Sequence, residues 1–162
     1  MDVVVRRATA DDVGALARLN QIVQALHVSA EPAAFRADSS DAEMQSFFAN
    51  LVIADKTFVL IAKLAGLPVG YAWFEIQDRP PTPFTNARLR IYIHHVVVCE
   101  NSRKLGVGSS LLDAAEAEAQ VRGIKDVVLD TWAFNESARN FFEAADFKPF
   151  NIVMRKKLGN SA

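Results

Sequence analysis

Apolar positions in the first third of the chain repeat with helical spacing. After a β-branched run at 3–5, apolar residues recur at steps of three and four, at Val13, Leu16, Ala17, Ile22, Val23 and Leu26. This stripe predicts an amphipathic helix, because about 3.6 residues make one turn. Thr9 before two acidic residues predicts its N-cap. A loop or short helix containing Pro32 follows at 27–40, and Asp41 is the predicted cap of a second helix that reaches Leu51.

The middle of the chain is rich in β-branched and aromatic residues, which is typical of strands. We predict strands at 58–61 and 69–76, joined by a tight connection at 64–68. Three prolines at 80–83 predict a loop, because proline fixes φ and removes a backbone donor. Residues 89–99 predict a third long strand.

The last third alternates between helical and strand patterns. It predicts a helix at 107–122 ended by Gly123, a strand at 127–129, a helix at 137–145 and a final strand at 152–154. The order β-α-α-β-β-β-α-β-α-β predicts an α/β fold with a mixed, mostly antiparallel sheet and helices on both faces. The two strands that follow helices should add parallel pairs.

Length and composition restrict the broad class of the protein. The 162 residues predict one domain over 1–162. With 18 basic and 19 acidic residues, the net charge of -1 argues against a general nucleic-acid binder. No apolar run approaches the roughly 20 residues of a membrane span. The N-terminus has no signal-peptide pattern and Cys99 is the single cysteine, so we expect a cytoplasmic protein without an internal disulfide.

A basic turn with two glycines follows the predicted strand at 89–99. Gly106 and Gly108 let the backbone approach a ligand closely, while Arg103, Lys104 and the start of the next helix supply positive charge. This arrangement suits a pyrophosphate, although a turn that only caps a helix would use similar residues. Neither the P-loop pattern nor the three-glycine dinucleotide pattern is present.

The segment R-x-x-G-x-G at 103–108 resembles the acetyl-CoA signature of the GNAT superfamily of N-acetyltransferases. A second, independent resemblance lies in 129–147, where a strand is followed by N-x-x-A, an aromatic pair and a closing phenylalanine. Segments 6–12 and 154–158 also resemble the ends of the family's domain. The resemblance therefore extends over nearly the whole chain.

The resemblance implies acetyl transfer from acetyl-CoA to an amine, by direct attack in a ternary complex and without a metal. Backbone groups at the end of the strand would contact the pantetheine arm, and the glycine turn would hold the pyrophosphate. The implied cofactor-binding residues are Val96, Val97, Val98, Arg103, Lys104, Leu105, Gly106, Val107, Gly108, Ser109, Asn135 and Phe142. A homodimer is an expectation at the level of the family.

Candidates for proton transfer lie on two neighbouring strands. Without a bulge, strand alternation places Tyr92 and His94 on one face and His95 on the other. The family commonly places its proton-handling group on this strand. His94 is therefore the candidate base, because histidine titrates near neutral pH; a structural or substrate-shaping role stays open. Glu75 is the rival base or an ammonium-binding group, Tyr92 is a further candidate, and His95 is expected to be structural.

The leaving-group side departs from the family pattern. Its frequent tyrosine acid falls at Phe142, which has no proton to donate, and its usual glycine falls at Asp146. Because a thiol has a pKa of about 8.5, CoA can leave as a thiolate without an acid. The departure keeps open a non-catalytic acyl-CoA-binding or regulatory domain, and a nucleotide-binding domain is a weaker third reading.

Residues that choose the acceptor should come from the predicted loops and from nearby aromatic positions. The candidates for the pocket wall are His27, Phe35, Trp73, Phe84 and Trp132. Aromatic rings together with an acid suit a primary amine, although each ring could equally belong to the core. The acceptor is therefore a small-molecule amine or a peptide amine.

Overall fold

The computed structural model describes residues 2–159. Its contacts divide the chain into two compact units, Met1–Asp130 and Thr131–Ala162. No helix among the described residues is both long enough and apolar enough to cross a bilayer.

The first unit contains a five-stranded sheet and three α-helices. In chain order they are β1 (Val3–Arg7), α1 (Val13–Ala30), α2 (Asp41–Ile53), β2 (Thr57–Leu64), β3 (Leu67–Arg79), β4 (Arg88–Val98), α3 (Val107–Val121) and β5 (Asp126–Leu129). The strands lie in the order β1-β2-β3-β4-β5. The first four pair antiparallel, and β5 pairs parallel to β4. The expected mixed, mostly antiparallel sheet is confirmed.

Helices cover both faces of this sheet. Because neighbouring residues of a strand face opposite sides, Gly70 and Tyr71 of β3 mark the two faces. Tyr71 is fully buried in a cluster that includes Leu16 of α1 and Phe48 of α2. Gly70 lies under Val107 and Leu111 of α3. The core is therefore split into two apolar layers with the sheet between them.

The starts of α1 and α2 show how local side chains set helix boundaries. Thr9 is the N-cap of a short 3-10 turn, Ala10–Asp12, that leads into α1, as expected. For α2 the expected cap, Asp41, is wrong by one residue. Ser40 is the cap, because its hydroxyl accepts from the Glu43 amide at 3.1 Å while the Glu43 carboxylate accepts from the Ser40 amide at 2.8 Å.

The second unit contains one helix, α4 (Glu136–Ala144), close to the expected bounds. Asp146 follows it with a φ of 64°, a left-handed conformation that explains why the family usually has a glycine at this position. The strand predicted at 152–154 is wrong. Ile152, Val153 and Met154 lie in neither helix nor strand and are 78%, 91% and 89% exposed. A β-branched run becomes a strand only where an edge pairs with it, and the described part of this unit contains no strand.

Gly70 generates a prediction about the packing of α3. A Cβ at this position would lie 2.6 Å from the Val97 carbonyl oxygen and 3.1 Å from Cγ1 of Val107. Since both neighbours are held by secondary structure, Gly70→Ala should lower the free energy of unfolding by about 1–3 kcal/mol. Urea denaturation followed by circular dichroism measures the change.

Gly14→Ala is the matched control, because a Cβ there would lie 3.6 Å from the flexible end of Arg18 within α1. It should raise stability by about 0.5–1 kcal/mol. If Gly70→Ala unfolds at the same urea concentration as the parent protein, the close packing of α3 on β3 is not a constraint.

Candidate active site

One strand irregularity determines which side chains meet at the candidate site. Trp73 of β3 pairs with His95, whereas the next residue, Phe74, pairs with Ile93. His94 is thus an extra residue in β4, which is a β-bulge. The expectation that His94 and His95 lie on opposite faces is wrong, because the bulge interrupts the alternation. Both rings contact Trp73, on the face that α1 and α2 cover.

The bulge brings together five residues that we call the Trp73 cluster: Trp73, Glu75, Tyr92, His94 and His95. The His94 ring stacks on Trp73 with centroids 4.2 Å apart, and the Tyr92 ring lies 4.9 Å from it. Nε2 of His94 lies 3.4 Å from Oε1 of Glu75. All three residues that the sequence proposed for proton transfer therefore lie in one cluster.

Two nitrogen atoms of this cluster have an unusual environment. Nε1 of Trp73 and Nε2 of His94 are buried and make no hydrogen bond to any described residue. Buried polar groups in folded proteins are nearly always paired. Nε2 of His94 still has the Glu75 carboxylate 3.4 Å away, whereas no hydrogen-bond acceptor among the described residues serves Nε1 of Trp73.

Tyr92 is held by a carboxylate that the sequence did not single out. Its hydroxyl donates a hydrogen bond to Asp130, directly after β5. Burial, followed by this hydrogen bond, raises the pKa of Tyr92 to about 12. Tyr92 consequently keeps its proton near neutral pH and fixes a second carboxylate at the edge of the cluster. An isolated acid after a short strand carries no distinctive sequence signal.

His95 is tied to the core of the first unit. Its Nδ1 lies 2.8 Å from the Tyr71 hydroxyl, which donates at 2.9 Å to Oδ1 of Asn20. Burial first, and the nearby His94 and His27 next, lower the pKa of His95 to about 4. Neither Tyr71 nor Asn20 was among the site residues predicted from sequence. Asn20 carried a signal, because it is a polar residue on the apolar stripe of α1.

The expected acceptor-binding residues are distributed unevenly. Trp73 belongs to the cluster, and its ring meets Phe47 of α2 edge-on at 5.4 Å. His27 packs on Phe35 with ring centroids 4.5 Å apart, and burial lowers its pKa. Phe84 lies on the loop after β3 and is 95% exposed. Trp132, in the second unit, stacks on Phe134 at 5.7 Å.

The edge of β4 beyond the bulge is open. β5 pairs with Arg90–Ile93 and ends there, while β4 continues to Val98. No other strand in residues 2–159 lies along this side of β4. The backbone groups of residues 94–98 that point away from β3 therefore form a sheet edge able to pair with an extended ligand.

The glycine turn lies between this edge and α3. Lys104 has a φ of 63° and Gly106 a φ of 80°, a left-handed conformation that glycine adopts without strain. Gly106 is the N-cap of α3, and nothing lies within 4 Å of a Cβ built on it. The first amides of α3 have no intrahelical partners and carry partial positive charge. The exposed Arg103 and Lys104 add full charges, so the turn suits an anion.

The two motif residues of the second unit have defined local roles. Asn135 is the N-cap of α4, with its Oδ1 accepting from the Ala138 amide at 3.1 Å. Phe142 contacts Phe141 and Phe147, with ring centroids 5.2 and 5.7 Å away. Both residues therefore help to order α4 and the turn that follows it.

Comparison with known proteins finds one family and a well-populated fold. The family model described as the acetyltransferase (GNAT) family matches residues 21–147. An uncharacterized N-acetyltransferase of Bacillus subtilis, YycN, is 28% identical over 90 residues, which are 56% of this chain. The match covers 54% of YycN, so the chain spans about half the length of this relative.

Solved structures are similar over nearly the whole chain. A tetramutant of the BH1408 protein from Bacillus halodurans has a TM-score of 0.89 at 24% identity, covering 96% of this chain and 99% of that one. An aminoglycoside N-acetyltransferase in complex with CoA has a TM-score of 0.77 at 16% identity, covering 97% and 95%. A structure described as a predicted acetyltransferase with acetyl-CoA, from Clostridium acetobutylicum, has a TM-score of 0.70 at 19% identity, covering 96% of each chain. These likenesses show the fold.

The environment of His95 predicts a pH dependence of stability. Its folded-state pKa of about 4 lies below the value of about 6.5 in an unfolded chain, so acid protonates the unfolded state first. The contribution is present above pH 6.5 and is lost as the pH falls from there towards 4. Between pH 7 and pH 5 the loss attributable to His95 should be about 2 kcal/mol.

Urea denaturation at both pH values, compared between the parent protein and His95→Gln, isolates this contribution. The variant should lose about 2 kcal/mol less than the parent on going to pH 5. An equal loss in both proteins would show that His95 does not stay neutral in the folded state.

Proposed function

The chain belongs to the acetyltransferase (GNAT) family, and on this premise we propose that it transfers the acetyl group of acetyl-CoA to an amine in a ternary complex. Structural relatives bound to CoA or acetyl-CoA support this cosubstrate. One observation carries the proposal: the open edge of β4 runs from the Trp73 cluster towards the anion-suited turn of α3. Acetyl-CoA has three parts in the same order: a thioester for the Trp73 cluster, a long amide-bearing arm for the β4 edge, and a pyrophosphate for the turn.

The proposed cofactor site uses mainly the backbone. The pantetheine amides would pair with Val96, Val97 and Val98 as an added strand does. The pyrophosphate would accept hydrogen bonds from the amides of 103–109, with Arg103 and Lys104 as charged partners. Asn135 and Phe142 are proposed as cofactor contacts on the resemblance of their motif alone.

The proposed reaction is a direct displacement. The amine nitrogen attacks the acetyl carbonyl carbon, a C–N bond forms, and the C–S bond breaks to release CoA thiolate. His94 takes the proton of the attacking amine, and Glu75, 3.4 Å from Nε2, stabilises the imidazolium that results. The thiolate leaves without a protein acid, since its pKa as a free thiol is about 8.5 and Phe142 has no proton to give.

The acceptor is proposed to be a primary amine of a small molecule or a peptide. The Trp73 cluster combines aromatic faces with the carboxylate of Glu75, and Asp130 lies beside Tyr92. Aromatic faces and carboxylates both attract an ammonium group. The ammonium gives its first proton to solvent, and the neutral amine that results gives the second to His94 on attack. The aminoglycoside N-acetyltransferases among the structural relatives bear the name of an amine-containing substrate, which supports this class.

Catalysis by His94 predicts a specific loss of turnover. With 2-phenylethylamine, kanamycin and an alanine-terminated peptide as acceptors, the parent protein should release CoA thiol faster than hydrolysis alone. His94→Ala should lower turnover about 100-fold or more while leaving acetyl-CoA affinity unchanged, because general-base catalysis contributes about 10²–10⁴-fold. Free-thiol detection and calorimetry provide the two measurements.

Glu75→Gln is the companion variant and should lower turnover less than His94→Ala. If Glu75→Gln abolishes turnover and His94→Ala does not, Glu75 is the base. Acetyl-CoA binding without thiol release from any amine would instead favour the non-catalytic acyl-CoA-binding domain.

Cofactor binding at the turn predicts a second result. Gly108→Trp should raise the Kd for acetyl-CoA tenfold or more, at a cost of about 1.4 kcal/mol per tenfold, because the side chain would cover the amides of the turn. Val121→Trp adds the same side chain at the opposite end of α3, where the residue is 85% exposed, and should leave the Kd unchanged. Equal affinity in Gly108→Trp and the parent protein would place the pyrophosphate elsewhere.

A further inference from the structure

A chain of hydrogen bonds links the middle of α1 to the Trp73 cluster. It begins at Asn20, whose Nδ2 donates to the sulfur of Met44 at 3.3 Å. The side-chain nitrogen of Asn20 therefore bonds to a residue of α2, and the carbonyl Oδ1 is the atom that lies 2.9 Å from the Tyr71 hydroxyl. An amide oxygen only accepts hydrogen bonds, so the Tyr71 hydroxyl must be the donor.

This direction determines the tautomer of His95. A tyrosine hydroxyl has one proton, and Tyr71 donates it in the hydrogen bond to Asn20. Towards Nδ1 of His95, 2.8 Å away, the hydroxyl oxygen can therefore act only as an acceptor. Nδ1 must carry the ring proton, and Nε2 of the neutral ring keeps its lone pair.

The chain of bonds is rigid because it is inaccessible to water. Tyr71 is 0% exposed and Asn20 is 3% exposed. Reversing the His95 tautomer would leave a buried hydrogen-bonding group unpaired, which is unfavourable. Phe48 packs edge-on against the Tyr71 ring at 5.5 Å and makes no hydrogen bond in this chain of bonds.

The second ring nitrogen of His95, Nε2, is the one that Tyr71 leaves unbonded. It makes no hydrogen bond to a described residue, and His95 is half-buried, so its ring is not fully enclosed by the core. The His95 ring meets Trp73 edge-on at 5.0 Å, next to the stacked His94 ring. The core thus presents one fixed lone pair at the cluster proposed to bind the amine.

We propose that Nε2 of His95 accepts a hydrogen bond from the acceptor amine and so directs the nitrogen lone pair at the acetyl carbon. This inference depends on the proposed acetyl transfer. It gives the two adjacent histidines separate tasks: His95 orients the neutral amine, and His94 receives the proton that the amine loses on attack. Tyr71 and Asn20 are positioning residues that act through His95.

The surroundings of His95 fit a permanently neutral acceptor. The titratable groups that face it are His94 and Tyr71 on the two paired strands and His27 on α1. Burial and the two other histidines keep its pKa well below neutral pH, so the lone pair persists throughout the range in which amines are acetylated. A charged imidazolium at this position would repel the substrate ammonium.

Nitrogen NMR of histidine-labelled protein tests the fixed tautomer without any substrate. At pH 7 the parent protein should show a protonated Nδ1 and a bare Nε2 for His95, with the signal assigned by its loss in His95→Gln. Tyr71→Phe removes the acceptor and should convert His95 to a tautomer mixture or to the Nε2-protonated form. Phe48→Leu disturbs the same core but keeps the hydrogen bonds, so its tautomer should match the parent. A parent protein protonated on Nε2 would overturn the proposal.

Kinetics with 2-phenylethylamine tests the role in orientation. His95→Leu removes the acceptor and should lower kcat/KM for the amine about 3- to 10-fold, while leaving the KM for acetyl-CoA unchanged. His95→Gln retains an acceptor oxygen near the position of Nε2 and should recover part of the loss. If the parent protein turns over the amine and His95→Leu has the same kcat/KM for it, the His95 proposal alone is wrong. If the parent turns over none of the three acceptors, the proposed acetyl transfer fails and this inference fails with it, whatever the tautomer.

Discussion

The β-bulge at His94 is the constraint on which the candidate site depends. Because strand side chains alternate between faces, one extra residue changes the face of every residue on one side of the bulge. Ile91 and Ile93 stay buried under the α3 layer while Val97 stays in the α1 layer, so both apolar layers are satisfied. The two histidines between them are turned together towards Trp73. A regular strand would have separated them.

The same strand serves the core and the site, which links stability to chemistry. On its β3 side, β4 is held so closely that the Val97 carbonyl leaves no room for a Cβ at Gly70. On its other side, β4 extends beyond the end of β5, so the backbone of its last residues has no partner strand there. The hydrogen bonds from Asn20 to Tyr71 and from Tyr71 to His95 then fix the orientation of the His95 ring from the side of α1. Side chains at the site are consequently positioned by core packing and not by loops.

Periodicity and turn chemistry predicted most of the fold. The helical stripe of α1, the hairpin before β3 and the glycine turn at Gly106 are local signals, and the structure contains each of them. The bulge could not be predicted, because it depends on the register between β3 and β4. The strand at 152–154 failed because strand formation depends on a partner edge, and Asp130 was missed because its role depends on Tyr92. The site roles, the homodimer and the cytoplasmic location stay predictions.

A crystal structure with bound CoA would show whether the open edge of β4 holds the cofactor. The pantetheine arm should pair with the β4 backbone at 94–98, the sulfur should lie beside the Trp73 cluster, and the pyrophosphate should contact the amides of 103–109. CoA bound away from this edge, with its sulfur remote from His94 and His95, would contradict this expectation.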